Sequence, residues 1–103
     1  MVIQGFFVFK EGAMNISIEK PSAVKLAALG VVSWPIWSKE VSTFPWSYQS
    51  QEIAYILEGE VTVTPKGGGN PVSFGVGDLV TFLAGLSYVW DVKKALRKHY
   101  QFS

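Results

Sequence analysis

Glu52 is the residue best placed to do chemistry in this chain, because of the company its spacing gives it. Trp46, Tyr48, Glu52 and Gly59 form one spaced run, and Gly77, Leu83, Gly85 and Tyr88 form a second. On a strand, side chains two apart share a face, so Trp46, Tyr48 and Glu52 are expected to point one way, into an interior. Tyr88 and Trp90 are expected to point in from an opposite strand. A carboxylate between aromatic walls is partly desolvated, which favours its protonated form. Such a Glu52 can serve as a general acid or base, with the Tyr48 and Tyr88 hydroxyls orienting a substrate. The bland alternative is a glutamate held by a lysine or tyrosine for structure alone. Trp46, Tyr48 and Tyr88 either line a pocket or plug the interior, since aromatic rings fill barrels efficiently. Trp34, Trp37, Trp46 and Trp90 could form stacking walls for a sugar ring or small heterocycle, but Trp34 and Trp37 fit core or dimer packing better.

The last strand offers Glu52 two partners. In Lys98-His99-Tyr100, Lys98 and Tyr100 share one face and His99 takes the other. If Lys98 and Tyr100 point inward, Lys98 neutralises Glu52 or holds an anionic substrate. If His99 points inward, a Glu52–His99 acid/base pair becomes possible. The chain has one His and no Cys. It therefore cannot build a three-histidine metal site within one subunit, nor a Cys-ligated zinc or a thiolate nucleophile. Indole nitrogen has no lone pair for a metal, and a tyrosine ligand must lose a proton with a pKa near ~10. Gly67-Gly68-Gly69 is a hairpin loop rather than a phosphate cradle, because no Lys-Ser/Thr and no helix follow it.

The elements that must carry these residues are mostly short strands. Residues 15–20 alternate as a strand. Ser22 caps a two-turn helix, Ala23 to Leu29, and Gly30 stops it. Val31 to Trp37 and Glu40 to Phe44 are candidate strands, broken by Pro35 and Pro45. Gln51 to Leu57, Val61 to Thr64, Val72 to Phe74, Asp78 to Phe82, Tyr88 to Val92 and Arg97 to Phe102 complete the set. Many short strands with regular turns and one small helix predict an all-β antiparallel barrel or jelly roll.

The two spaced runs resemble the halves of the cupin signature, H-x-H-x3-E-x6-G and G-x5-P-x-G-x2-H. Glu52, Gly59, Gly77 and Gly85 keep their places, while Trp46, Tyr48 and Tyr88 stand at the histidine positions. Over residues 15–102, Lys20-Pro21, Trp34-Pro-Ile-Trp37, Tyr55-Ile-Leu-Glu-Gly59, Gly77-Asp-Leu-Val-Thr-Phe82 and Lys98-His-Tyr100 resemble small single-domain cupins. These are the members of the ureidoglycine aminohydrolase-like family (DUF861) that have no assigned function. The resemblance implies a cupin jelly-roll β-barrel with one short N-terminal helix, usually dimeric. The chain departs from the family pattern at Glu40 (a Gly there), Leu83 (Pro) and Val92 (Asn). Cupin metal enzymes hold their metal with three His and one Glu, and Glu52 alone survives here.

Composition narrows the role. The chain has 103 residues, of which 49% are hydrophobic and 15% aromatic, so a single domain that folds is expected. Met14 reads as a natural start, which makes residues 1–13 an extension or an extra strand and residues 14–103 the single cupin domain. A net charge of +1 without basic runs gives no basis for nucleic-acid or anionic-membrane partners. No apolar run approaches the ~20 residues that span a bilayer, and the N-terminus makes a poor signal peptide. A cytoplasmic location is expected. Asn15-Ile-Ser17 matches a glycosylation sequon, which means little without secretion. The resulting expectation is a cofactor-free, metal-free barrel, a homodimer, that binds a small polar metabolite. Trp46, Tyr48, Tyr88, Trp90, Lys98 and His99 are its candidate ligand-binding residues. The alternatives are a metal-independent isomerase or hydrolase of a small carbonyl or ureido compound using Glu52, and a structural or partner-binding barrel with a filled interior.

Overall fold

A computed structural model describes residues 16–103. The extension and the sequon asparagine considered above lie outside the described residues.

The chain folds as an antiparallel jelly roll with one helix. Its strands are β1 (Ile16–Glu19), β2 (Ile36–Lys39), β3 (Ser42–Ser47), β4 (Glu52–Pro65), β5 (Val72–Gly75), β6 (Leu79–Phe82) and β7 (Ser87–Phe102). Hydrogen-bonded neighbours run β1-β6-β4-β7-β2, with β3 also on β7 and β5 also on β4; among the described residues the sheet does not close into a ring. Two long strands, β4 and β7, form the spine. Each was expected as two shorter strands, but Gly59 bends β4 without ending it. Its φ is +107°, and a Cβ there would lie 2.6 Å from the Ala95 carbonyl oxygen, so only glycine fits so close an approach.

That bend changes which residues face in. Glu52, Ala54 and Ile56 are buried before it, and Val61 and Val63 after it. The β4–β7 register shifts between Ile56 and Glu58, between Glu58 and Glu60, and between Glu60 and Val61. Bulges of this kind insert residues and restart the alternation on the other phase.

The helix α1 (Ala23–Leu29) forms where expected. Ser22 Oγ accepts the Lys25 backbone N–H, and Gly30 ends the helix at φ +70°. Residues 31–37 differ from the expected single strand. Val31–Ser33 make one 3₁₀ turn, because the Ser33 N–H and hydroxyl both return to the Gly30 carbonyl; extended structure resumes only after Pro35. The strand expected at 40–44 lies at Ser42–Ser47 and passes through Pro45. Its register partner is Val89 of β7, and β3 pairs with no other described strand. A proline that cannot donate is tolerated on such an edge.

Two cores result. The interior core joins Phe74, Val80, Phe82, Tyr48, Tyr88, Trp90, Val92 and Leu96. The outer one seats Val31 and Trp34 on Leu79, with Leu26, Ile53 and Tyr55 around them. Trp34 is thus a packing residue, as its expected core role had it.

Candidate functional site

The strands set the site by their phase. On β7 the buried positions are Tyr88, Trp90, Val92, Leu96 and Lys98, so Lys98 faces inward and His99 outward. Of the two open arrangements, the chain adopts the first. His99 Nδ1 lies 2.9 Å from the Trp34 carbonyl oxygen, on the helix side of the sheet. His99 therefore takes no part in the interior site, and a Glu52–His99 pair is ruled out in this geometry: the strand's alternation that admits Lys98 expels His99.

Glu52 is 2% exposed and Lys98 5%. Lys98 Nζ donates to Glu52 Oε2 at 2.6 Å. The ammonium also sits 5.0 Å from the ring centroids of both Trp37 and Trp90 and 5.9 Å from that of Tyr100, within cation–π range. Burial pushes the Lys98 ammonium pKa down, and Glu52, by charge and hydrogen bond, pushes it back up without cancelling the shift.

Above this pair opens a pocket of about 220 Å³, lined by Trp37, Phe44, Trp46, Tyr48, Glu52, Trp90, Lys98, Tyr100 and Phe102. A drug-sized ligand needs about 300–1,000 Å³, so this pocket is smaller than a site for one. Its rim is Trp46, 47% exposed. Its inner wall is Tyr48, stacked on Phe82 at 4.8 Å and held by its backbone. The Tyr48 N–H donates to the Leu86 carbonyl, and the Gly85 N–H donates to the Tyr48 carbonyl at 2.7 Å. Gly85, at φ +89°, makes the turn that brings the second motif to the first. Gly77 and Asp78 do the same at the other end: Asp78 Oδ2 accepts the Gly75 N–H, and Lys20 pairs with Oδ1 at 2.8 Å.

Sequence spacing brought Trp46, Tyr48, Glu52, Trp90 and Lys98 to one place. Tyr88 lies deeper, against Tyr48 and Phe82, and does not line the pocket. Four lining residues were missed as such: Trp37, Phe44, Tyr100 and Phe102. Tyr100 was signalled by its shared face with Lys98. Trp37, assigned to core or dimer packing, pairs with Lys98 across β2–β7; no signal fixes that register in so short a strand. Burial pushes the Tyr48 hydroxyl pKa far up, and the Glu52 charge adds to this. The Trp90 indole opposes it weakly without reaching hydrogen-bond geometry, since Tyr48 Oη and Trp90 Nε1 are both buried without a partner.

The donor set does not suit the metal centre that this fold commonly carries. Trp46 and Trp90 offer no lone pair, Tyr48 resists becoming a phenolate, and His99 is on the other face. Glu52 is already bonded to a cation of the chain itself. Among the described residues, no three His, Cys, Asp or Glu side chains gather as a metal site.

The fold and the two glycine-punctuated motifs define a cupin-type domain. The family description "EutQ-like cupin domain" matches residues 26–100, and the chain belongs to that family. A solved DUF861 family protein from Thermotoga maritima is 49% identical, covering 85% of this chain and 99% of its own, with a TM-score of 0.83. The EutQ protein of Clostridium difficile is 24% identical over 65% of this chain and 52% of its own, TM-score 0.58. A protein of unknown function (DUF1255) from Acidithiobacillus ferrooxidans is 19% identical, over 62% and 60%, TM-score 0.59. The last two show the fold alone, and this chain spans about half the length of the EutQ protein. No curated protein matches. Among the described residues, no helix is long and apolar enough to cross a membrane.

Proposed function

We propose that this cupin domain binds a small polar metabolite in the aromatic pocket over Glu52 and Lys98. The carrying observation is the buried Lys98–Glu52 pair at the bottom of an open, ring-lined pocket. Taking two charges out of water costs several kcal/mol per ion, and apolar side chains of equal volume often serve stability as well or better. A pair placed where a ligand can reach it supports a binding role over a purely structural one. The pocket also speaks against a barrel filled throughout, although Tyr48, Phe82, Tyr88 and Phe74 do fill its deeper part.

A second reading, metal-independent acid/base catalysis, has a specific observation behind it. A 2.6 Å contact between an ammonium and a carboxylate is a short path for a proton, and the pair gives one acid and one base in a site that restricts water. The ureidoglycine aminohydrolase reaction is not carried over, because Trp46, Tyr48 and Tyr88 replace its metal-binding histidines.

The test is a metabolite screen read by tryptophan fluorescence, because Trp37, Trp46 and Trp90 all line the pocket. Binding that weakens at least tenfold in Trp46→Ala, with the fold intact by circular dichroism, is the expected result. Ligands that bind Trp46→Ala as tightly as wild type would place the site elsewhere.

A further inference from the structure

We infer that Lys98 captures its ligand covalently: Nζ condenses with the carbonyl carbon of a small, uncharged aldehyde or ketone, giving an imine, with Glu52 moving the protons. This rests on the pocket reading above and adds the ligand's chemical class.

Three observations converge. Among the described residues, Lys98 is the one lysine that is buried, and it lines the pocket; the lysines in exposed ion pairs, such as Lys20, Lys25, Lys93 and Lys94, face solvent. A lysine desolvated in an apolar pocket is the kind that forms Schiff bases, because more of it is free amine. Glu52 Oε2, 2.6 Å away, is close enough to take that proton directly. Finally, the two charges cancel inside an otherwise aromatic wall, so the pocket offers no net attraction to an anion. An uncharged carbonyl compound fits the site better than a carboxylate or phosphate.

The step balances within the pair. Glu52 takes a proton from the ammonium. The freed Nζ lone pair bonds to the carbonyl carbon as the C=O π pair moves to oxygen. A proton passes from nitrogen to that oxygen, leaving a neutral carbinolamine and a protonated Glu52. Glu52 then protonates the hydroxyl, the C–O bond breaks, water leaves, and the nitrogen lone pair forms C=N. The product is a protonated imine beside an ionised Glu52, with the charges of the starting pair. The Trp37, Trp90 and Tyr100 faces that surround the ammonium suit this cation equally, and the apolar wall slows its return to water.

The experiment incubates the protein with glycolaldehyde or, separately, with glyoxylate, adds cyanoborohydride to reduce any imine to a stable secondary amine, and maps adducts by peptide mass spectrometry. Reversible binding of each compound is measured in parallel by tryptophan fluorescence without reductant. The expected result is a single glycolaldehyde adduct, on Lys98, at least tenfold above that on any other lysine and above the glyoxylate adduct there. Mapping on the wild type needs no variant; Glu52→Gln/Lys98→Met, which removes both charges together, should lose the adduct. Adducts spread over exposed lysines, or favoured by glyoxylate, overturn the inference. Binding of glycolaldehyde without a Lys98 adduct overturns the imine and leaves the pocket reading standing. Failure of the fluorescence screen to find any pocket ligand overturns both.

Discussion

The deep interior and the mouth of this jelly roll are built from the same kind of residue and use it differently. Below, Tyr48, Phe74, Phe82, Tyr88 and Trp90 meet ring to ring, at 4.8–6.2 Å between centroids. Above, Phe44 stacks on Trp90 at 5.9 Å and Tyr100 meets Phe102 at 5.6 Å, but these rings, with Trp37 and Trp46, also line open space over a buried ion pair. The floor uses aromatic area for cohesion, and the mouth uses it as a wall. Residue type alone does not separate a plug from a pocket; the difference comes from what each ring has opposite it.

Substitutions can break this contrast. The largest effect is expected where charge meets the floor. Lys98→Met alone leaves Glu52 buried without a partner and should cost about 3–5 kcal/mol in urea unfolding, whereas Glu52→Gln/Lys98→Met should recover most of that. A single variant as stable as the pair would mean that water reaches Glu52 freely. Tyr48→Ala removes a ring at the boundary and should cost about 3–5 kcal/mol, as large-to-small core changes do; a loss below about 1 kcal/mol would assign Tyr48 to the wall. At Gly59 a side chain meets Ala95 and Leu96 backbone in a positive-φ conformation, so Gly59→Ala should lower stability by at least about 1–3 kcal/mol; thermal melts decide it.

A pH series sharpens the same boundary. The folded-state pKa of Tyr48 is raised by burial, so the native state holds its proton where the unfolded chain would release it. Its contribution is complete below the unfolded value near ~10 and declines as pH rises further. Wild type should therefore lose about 1.4 kcal/mol per pH unit above ~10 that Tyr48→Phe does not lose. Parallel curves for the two proteins would show that the hydroxyl is in contact with water. The smallest effect belongs to the rim. Trp46→Ala should change stability by less than about 0.5 kcal/mol while weakening ligand binding.

Much of the fold could be read from the residues, because its punctuation is steric. Gly59, Gly77 and Gly85 sit at φ +107°, +88° and +89°, conformations that other residues resist, so their spacing carries the architecture. The site was legible only in part. Alternation shows that Lys98 and His99 take opposite faces, but not which face is inside. That phase is fixed by pairing with a bulged β4, whose register shifts leave no mark at Lys98 itself. Trp37 was missed for a related reason: a four-residue strand after Pro35 has no internal period from which to infer its register against β7.

The bulges in β4 have a consequence for how such a fold could change over time. Lys98 and His99 are neighbours, and a slip of one position in β7 would exchange them. One codon deleted before Lys98, offset by one inserted after His99, would move His99 into the place of Lys98 and bring an imidazole rather than an ammonium toward Glu52 without replacing either residue. The domain therefore stands one frame-preserving indel pair from a different proton chemistry. Lineages of this fold can be compared by strand phase as well as by substitution.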